Sequence, residues 1–275
     1  MAENFNLSAA VRTNLLSLQT TARGIDQTNR RLSTGLEVNT PQDDASAFFT
    51  ARTLNNRSSD LIDLKSTIDL SISAVQAAIN GLDSISELAK QAKGLAEAAK
   101  ATGNTNERST LAVQFNTLLT QINQVTNDAS FNGINLLKAT PDNLEVAFNE
   151  ANTSNLTITG LDSTTATSGI NIAVAANNFG LNANIDTALT AIGSALTTLR
   201  SNAATLGSNN TILGTRLNFT RNLVDTHETG SGKLTLADLN IESANLLALQ
   251  TRQQLGLNSL ALASLSEQSV LALFG

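Results

Sequence analysis

Apolar residues recur at alternating spacings of four and three along the last third of the chain. The series covers twelve positions within 185–224, and ten of them are apolar. A second series occupies 61–96, and a third, shorter one occupies 111–129. This alternation is typical of coiled-coil seams, and no proline interrupts residues 42–140 or 142–275. The pattern predicts a mainly α fold: a long antiparallel coiled-coil bundle in which 185–224 returns along the other two helices.

The middle of the sequence has a period of two, which is the period of a β-strand. Turn-forming Asn, Thr, Ser and Gly residues separate the alternating stretches. We therefore expect a small β-hairpin region at about 142–175, with strands formed by Leu144, Val146 and Phe148, by Leu156 and Ile158, and by Ile170, Ile172 and Val174.

Both ends of the chain have apolar faces of their own. The N-terminal seam closes at Gly35, which is typical of a helix end. Residues 243–275 carry only two charges, Arg252 and Glu267, and their apolar residues fall on more than one helical face. A helix that is apolar nearly all round must be buried nearly all round, and one N-terminal partner cannot cover it.

Two interpretations of the ends remain open. Either the terminal helix docks into its own domain, or the paired terminal helices are covered by other copies of the chain, and self-contacts that do not close a ring build a helical filament. The second interpretation predicts an assembly interface that contains Val11, Leu15, Leu18, Ile25, Leu32, Leu246, Leu249, Leu260, Leu265, Val270 and Phe274.

Composition argues against several classes of function. The 275 residues carry a formal net charge of −6 without a basic run, which disfavours nucleic acid as a partner. No apolar stretch is long enough for a membrane span, and the N-terminus lacks the pattern of a cleaved secretory signal. With no cysteine, the chain lacks the residue for thiol chemistry. Its single histidine, His227, is the only candidate base for a Ser-His-Asp triad and is too few for a histidine-zinc site. We expect no enzyme, no metal and no cofactor.

Three motifs resemble bacterial flagellins. The first runs from Arg31 and Leu32 through Gly35 to the Asp43-Asp44 pair. The second is Phe131-Asn132-Gly133 with the four residues that follow, which is similar to the flagellin segment that ends the second core helix. The third runs from Ala237 through Phe274. Together the resemblance covers roughly 1–137 and 182–275.

The resemblance implies the organisation of the chain and its role. Residues 1–42 plus 236–275 would form the terminal coiled-coil assembly domain of an inner filament tube, and 43–235 the helical bundle core domain. Because few residues remain between the core segments, the chain looks like a short flagellin with core domains only. A hook–filament junction protein, which shares the terminal helices, is the alternative.

Flagellin-like function also implies partners and a location. The subunit would be secreted unfolded through the type III flagellar export apparatus, with a secretion chaperone holding its C-terminus. It would polymerise with itself at the distal tip of an extracellular filament, beside filament cap and junction proteins, and serve swimming motility.

A further expectation concerns Toll-like receptor 5. Flagellins that this receptor detects present an arginine three residues before a Glu-Leu pair on the first core helix. Here Glu87, Leu88 and Gln91 match that patch, but Ser84 stands where the arginine would be. Since arginine contacts are frequent interface hot spots, the resemblance implies weak or absent recognition.

Overall fold

The computed structural model describes residues 9–274, with side chains at residue 9 and at 11–266. The described residues form five α-helices and two short antiparallel strand pairs, which confirms the mainly α prediction. The helices are α1 (Ala9–Thr34), α2 (Ala45–Ala101), α3 (Thr105–Asp128), α4 (Asn182–Thr235) and α5 (Leu239–Phe274). The strands are β1 (Ser130–Phe131), β2 (Ile134–Asn135), β3 (Leu144–Ala147) and β4 (Asn155–Ile158).

Internal contacts divide the chain into two compact units. Residues 1–57 and 226–275 form the terminal unit, and residues 58–225 form the bundle unit. The divisions fall inside α2 and α4. The sequence suggests a different division, into 1–42 plus 236–275 and 43–235, and that division stays a prediction about the assembled protein.

The bundle unit is built on the predicted seams. Every position of the 61–96 series is buried except Leu64, which is half-buried. All twelve positions of the 185–224 series are buried or half-buried. The buried hydrophobic residues between Ile68 and Leu217 form one cluster, so the bundle unit has a core of its own.

Two ion pairs give the direction of the helices. Lys100 near the end of α2 pairs with Asp186 near the start of α4 at 2.6 Å, and Asp69 pairs with Arg221 at 3.9 Å. The two helices are therefore antiparallel, as predicted. Gly103 and Asn104 form the predicted turn between α2 and α3, and the Asn104 side chain caps α3 by accepting the Asn106 N–H.

The buried stripe of α3 is wider than the predicted seam. Phe115 and Ile122 are fully buried as expected, but Ala112, Leu119 and Thr126 are buried as well. The reason is a second neighbour: α3 also packs against the turn Ala176–Phe179, where the rings of Phe115 and Phe179 meet edge to face at 5.2 Å.

The predicted β region is confirmed in one part and wrong in another. Strands β3 and β4 pair in antiparallel register, with Leu144 opposite Ile158 and Val146 opposite Leu156. Residues 170–174 form no strand. Ile170 and Ile172 are buried, but their N–H groups donate to Thr164 and Thr165 in the preceding loop, and Val174 is exposed. Local loop bonds thus replace a strand ladder.

Candidate assembly site

The junction between α1 and α2 is closed by glycine and aspartate. Gly35 ends α1 at a φ of +72°, where glycine is favoured, and donates its N–H to the Arg31 carbonyl. Asp43 Oδ2 accepts hydrogen bonds from the N–H groups of Asn39 and Thr40 and from the Thr40 hydroxyl. These bonds, first among them the Thr40 N–H, lower the pKa of Asp43. The loop is therefore organised around an ionised carboxylate.

Neighbouring residues of the same motif begin the next helix and join the two ends of the sequence. Asp44 caps α2 by accepting the Ala47 N–H at 2.9 Å. Leu36 forms an antiparallel bridge with Leu236, between α4 and α5. Backbone hydrogen bonds thereby hold the segment after α1 against the segment between α4 and α5, although the two are distant in sequence.

An ion pair ties α1 to the start of α5. Arg31 Nη1 lies 2.8 Å from Glu242 Oε1, and the Glu242 side chain is only 8% exposed. Glu37 of the loop approaches the same guanidinium at 3.8 Å. Since a buried carboxylate needs a partner, Arg31 has a structural role in the motif.

Helices α1 and α5 pack closely because each carries a glycine opposite a leucine of the other. A Cβ atom on Gly24 would lie 3.3 Å from Leu249, and one on Gly256 would lie 2.7 Å from Leu18. The three contacts pair Leu18 with Gly256, Gly24 with Leu249 and Arg31 with Glu242, so residue numbers rise along α1 as they fall along α5 by nearly equal steps. The pair is therefore antiparallel with one register, which confirms the predicted pairing of the terminal helices.

The face of α5 turned away from α1 carries four leucines, with Thr251 and Asn258 between them, that the described residues leave uncovered. Its residues fall on one side of the helix by their spacing, and their exposed fractions are 67% for Leu247, 63% for Leu255, 69% for Leu262 and 62% for Leu265. We call these four residues the outer row. Leu255, at the edge of the outer row, also lines an open groove of about 750 Å³ between α1 and α5, together with Leu16 among others.

The predicted interface residues divide between two sides of the helix pair. Leu246, Leu249 and Leu260 are half-buried on the opposite side of α5 from the outer row, the side that faces α1, and Leu265 belongs to the outer row. On α1, Val11 is buried, Leu18, Ile25 and Leu32 are half-buried, and Leu15 is 41% exposed. The side chains of Val270 and Phe274 lie outside the described residues.

The N-terminal seam predicted from the sequence passes through Asn29, and the structure differs from it there. Asn29 is exposed, whereas Thr28 is 6% exposed. Apolar periodicity could not reveal this, because the buried residue, Thr28, is polar.

The Phe131-Asn132-Gly133 motif forms the hairpin between β1 and β2. Asn132 and Gly133 have φ values of +51° and +82°, as a two-residue type I′ turn requires. Behind the turn, Asn135 donates to the carbonyls of Thr126 and Asn127 at the end of α3 and accepts the N–H of Leu137. The Asn-Gly pair is a hairpin signal that apolar periodicity does not reveal.

The four residues of the receptor-patch comparison lie on α2. Ser84, Glu87 and Gln91 are exposed, and Leu88 is half-buried against the core. Glu87 is paired with Lys90 at 2.6 Å. A groove of about 430 Å³ brings Ser84 together with Arg200 of α4, which sequence spacing could not indicate.

The part of the protein that the structure describes has neither a metal-binding cluster nor a membrane-spanning helix. In that part, no group of three His, Asp or Glu side chains is placed to hold a metal ion. None of the described helices is both long and apolar enough to cross a bilayer.

Comparison with known proteins identifies the family. Sequence models of the bacterial flagellin N-terminal and C-terminal helical regions match residues 5–142 and 189–274. The chain belongs to the bacterial flagellin family. The two matches cover most of the sequence and leave a short middle segment, which agrees with a short flagellin of core domains.

Individual flagellins match over nearly the whole length. Flagellin FljM of Caulobacter vibrioides is 30% identical over 94% of both proteins. A flagellin of Brucella melitensis is 29% identical over 100% of this protein and 99% of its own length. Among solved structures, the crystal structure of Bacillus cereus flagellin covers 56% of this protein and 88% of its own, with a TM-score of 0.49 and 23% identity.

Family membership settles the class of function. Flagellins are structural proteins that polymerise into the bacterial flagellar filament outside the cell, so the protein is a filament subunit and not an enzyme.

Proposed function

We propose that the protein is a filament flagellin whose terminal unit makes the subunit contacts. The subunit is exported unfolded through the type III flagellar apparatus, with its C-terminal helix held by a secretion chaperone. It then adds at the distal tip, between the junction proteins and the filament cap. The assembly interface is the set of residues predicted from the sequence together with the outer row of α5.

The outer row carries this proposal. Four leucines on one face, each more than 60% exposed, present apolar surface that the described residues of a single subunit leave in water. Burying a leucine side chain contributes about 1.5–3 kcal/mol, so the outer row would contribute at most about 6–12 kcal/mol to contacts with neighbouring copies. The groove beside Leu16 and Leu255 offers a concave surface for a neighbour's side chain.

The proposal is tested by matched substitutions of equally exposed residues. Leu262→Gln changes the outer row, and Val174→Gln changes a residue of the bundle unit that is 68% exposed, against 69% for Leu262. We expect Leu262→Gln to abolish or strongly slow sedimentable filament formation while its circular dichroism stays native. Val174→Gln should polymerise like the unchanged protein. Equal polymerisation of both variants would refute the role of the outer row.

A second test removes the terminal helices. The core cluster lies within 68–217, so a truncated protein of residues 45–235 should stay helical, monomeric and soluble without forming filaments. If that truncated protein unfolds, the terminal helices belong to the folding core and the docked-helix interpretation is correct.

Abundance distinguishes a filament flagellin from a hook–filament junction protein. Quantitative mass spectrometry of sheared filaments should find this protein as a bulk subunit along the filament. If it occurred only in the few copies of one ring, the junction alternative would hold.

We also propose weak or absent recognition by Toll-like receptor 5. The support is Ser84, a short neutral side chain whose hydroxyl donates to the Asn80 carbonyl within α2. Glu87, the acidic member of the patch, is already paired with Lys90. The patch therefore offers a partner less charge than an arginine would provide.

A further inference from the structure

Two Asn-Gly pairs, Asn80-Gly81 and Asn132-Gly133, lie in contrasting surroundings. In such a pair the backbone nitrogen of glycine can attack the amide carbon of the asparagine side chain, because glycine has no Cβ to shield its nitrogen. The reaction requires the asparagine backbone to rotate and the glycine nitrogen to be accessible. The surroundings of each pair therefore decide whether it reacts.

The Asn132-Gly133 pair is accessible. Both residues are exposed at the tip of the hairpin, and only two residue pairs hold β1 to β2. Among the hydrogen bonds of the described residues, none uses the Gly133 N–H or the Asn132 side-chain amide. Both turn residues lie outside this ladder, so the rotation that the reaction needs does not require Phe131 and Ile134 to leave the core against which they pack.

The Asn80-Gly81 pair is constrained. It lies in the middle of α2, where the helix fixes the backbone dihedral angles and uses the glycine N–H. Gly81 is buried, and a Cβ there would lie 2.8 Å from Ala129 and 2.9 Å from Leu137. Asn80 Oδ1 also accepts a hydrogen bond from Gln76. Reaction here requires the core of the bundle unit to open.

We propose that Asn132 is a site of spontaneous deamidation. The Gly133 nitrogen loses its proton and forms a bond to the amide carbon (Cγ) of Asn132. The bond between Cγ and the amide nitrogen Nδ2 then breaks and releases ammonia. The resulting five-membered succinimide is opened by one water molecule at either carbonyl, which yields aspartate or isoaspartate. No enzyme, oxidant or cofactor takes part.

The products change the hairpin in two ways. Each adds one negative charge to a protein whose formal net charge is −6, at a turn close in sequence to the exposed Asp128. The isoaspartyl product also routes the backbone through the former side chain, which lengthens a two-residue turn. The Asn135 bonds to the end of α3 lie directly behind that turn.

The test uses the full-length protein without substitutions, in which the Asn80-Gly81 pair is the internal control. Soluble subunits are incubated at mildly alkaline pH, digested, and analysed for the mass gain that accompanies replacement of the amide by a carboxyl group. Labelling by an isoaspartyl methyltransferase identifies the second product. If opening the core around Asn80 costs at least 1.4 kcal/mol more than opening the hairpin, Asn132 should be converted at least about tenfold faster.

A variant provides a second readout. Asn132→Gln should remove most isoaspartyl labelling, because glutamine would have to close a slower six-membered ring, and conversion at Asn80 should not change. Equal conversion at Asn80 and Asn132, or no conversion at Asn132 while exposed asparagines elsewhere react, would overturn the assignment.

Discussion

Removal of the Glu242 carboxylate should loosen the pairing of α1 with α5. Glu242→Ala leaves Arg31 without its 2.8 Å partner in a site where the glutamate side chain is 8% exposed and the arginine side chain 25%. Breaking a fully buried pair costs about 3–5 kcal/mol. Because a quarter of the arginine side chain still reaches water, we expect a smaller cost, about 1–3 kcal/mol.

Hydrogen exchange measures this loss where it occurs. A cost of about 1–3 kcal/mol corresponds to amide exchange that is about 5–150 times faster, and it should appear in peptides of α1 and α5. Peptides of the bundle unit should exchange as before, because its core cluster is separate. Glu242→Gln keeps an acceptor oxygen but loses the charge. Its exchange rates in α1 and α5 should lie between those of the unchanged protein and those of Glu242→Ala.

Two controls separate the ion pair from other effects of the glutamate. Glu97→Ala breaks an exposed pair with Lys93 at 3.6 Å and should cost at most about 0.5 kcal/mol. Glu242 also lies in the first turn of α5 and interacts with the helix dipole. A double-mutant cycle with Arg31→Ala isolates the pair. If Glu242→Ala changes amide exchange no more than Glu97→Ala does, the ion pair does not stabilise the pairing of α1 with α5.

Three further predictions concern α2 and the loop before it. Gly81→Ala should destabilise the bundle unit by about 1–3 kcal/mol in thermal unfolding, because its Cβ would overlap the packed core. Gly94→Ala, with nothing within 4 Å, should instead stabilise it by about 0.8–1 kcal/mol. The lowered pKa of Asp43 implies that its stabilisation of the loop is complete above the ordinary value of 3.8 and is lost as pH falls through the lower folded pKa. A carboxyl NMR titration should show that low midpoint, and Asp43→Asn should remove the pH dependence. Ser84→Arg should raise Toll-like receptor 5 activation in reporter cells, and an unchanged response would exclude the missing arginine as the cause.

The sequence correctly predicts which helix face is buried where a single period of apolar residues dominates. The seam that contains Ile68, Leu82 and Ile85 is buried as expected, because a helix with one apolar stripe has one way to bury it. The strand prediction for Ile170 and Ile172 is wrong because alternating burial also arises in a loop whose N–H groups bond locally.

Contacts between distant residues could not be predicted. Arg31 and Glu242 are separated by 211 positions, and nothing in either local sequence specifies the other. The same holds for Ser84 and Arg200, which α2 and α4 bring into one groove. Side-chain pairs of this kind follow from the register of helix packing, which periodicity alone does not fix.

The single register of α1 and α5 has a consequence for the accuracy of the polymer. Leu18 lies over Gly256 and Leu249 over Gly24, so a slip by one helical turn would place both leucines against larger side chains and would also separate Arg31 from Glu242. Every correctly folded copy therefore presents the outer row at the same angle around the helix pair. The structural similarity of the subunits in the filament is therefore determined by helix packing inside each molecule, before any two copies meet.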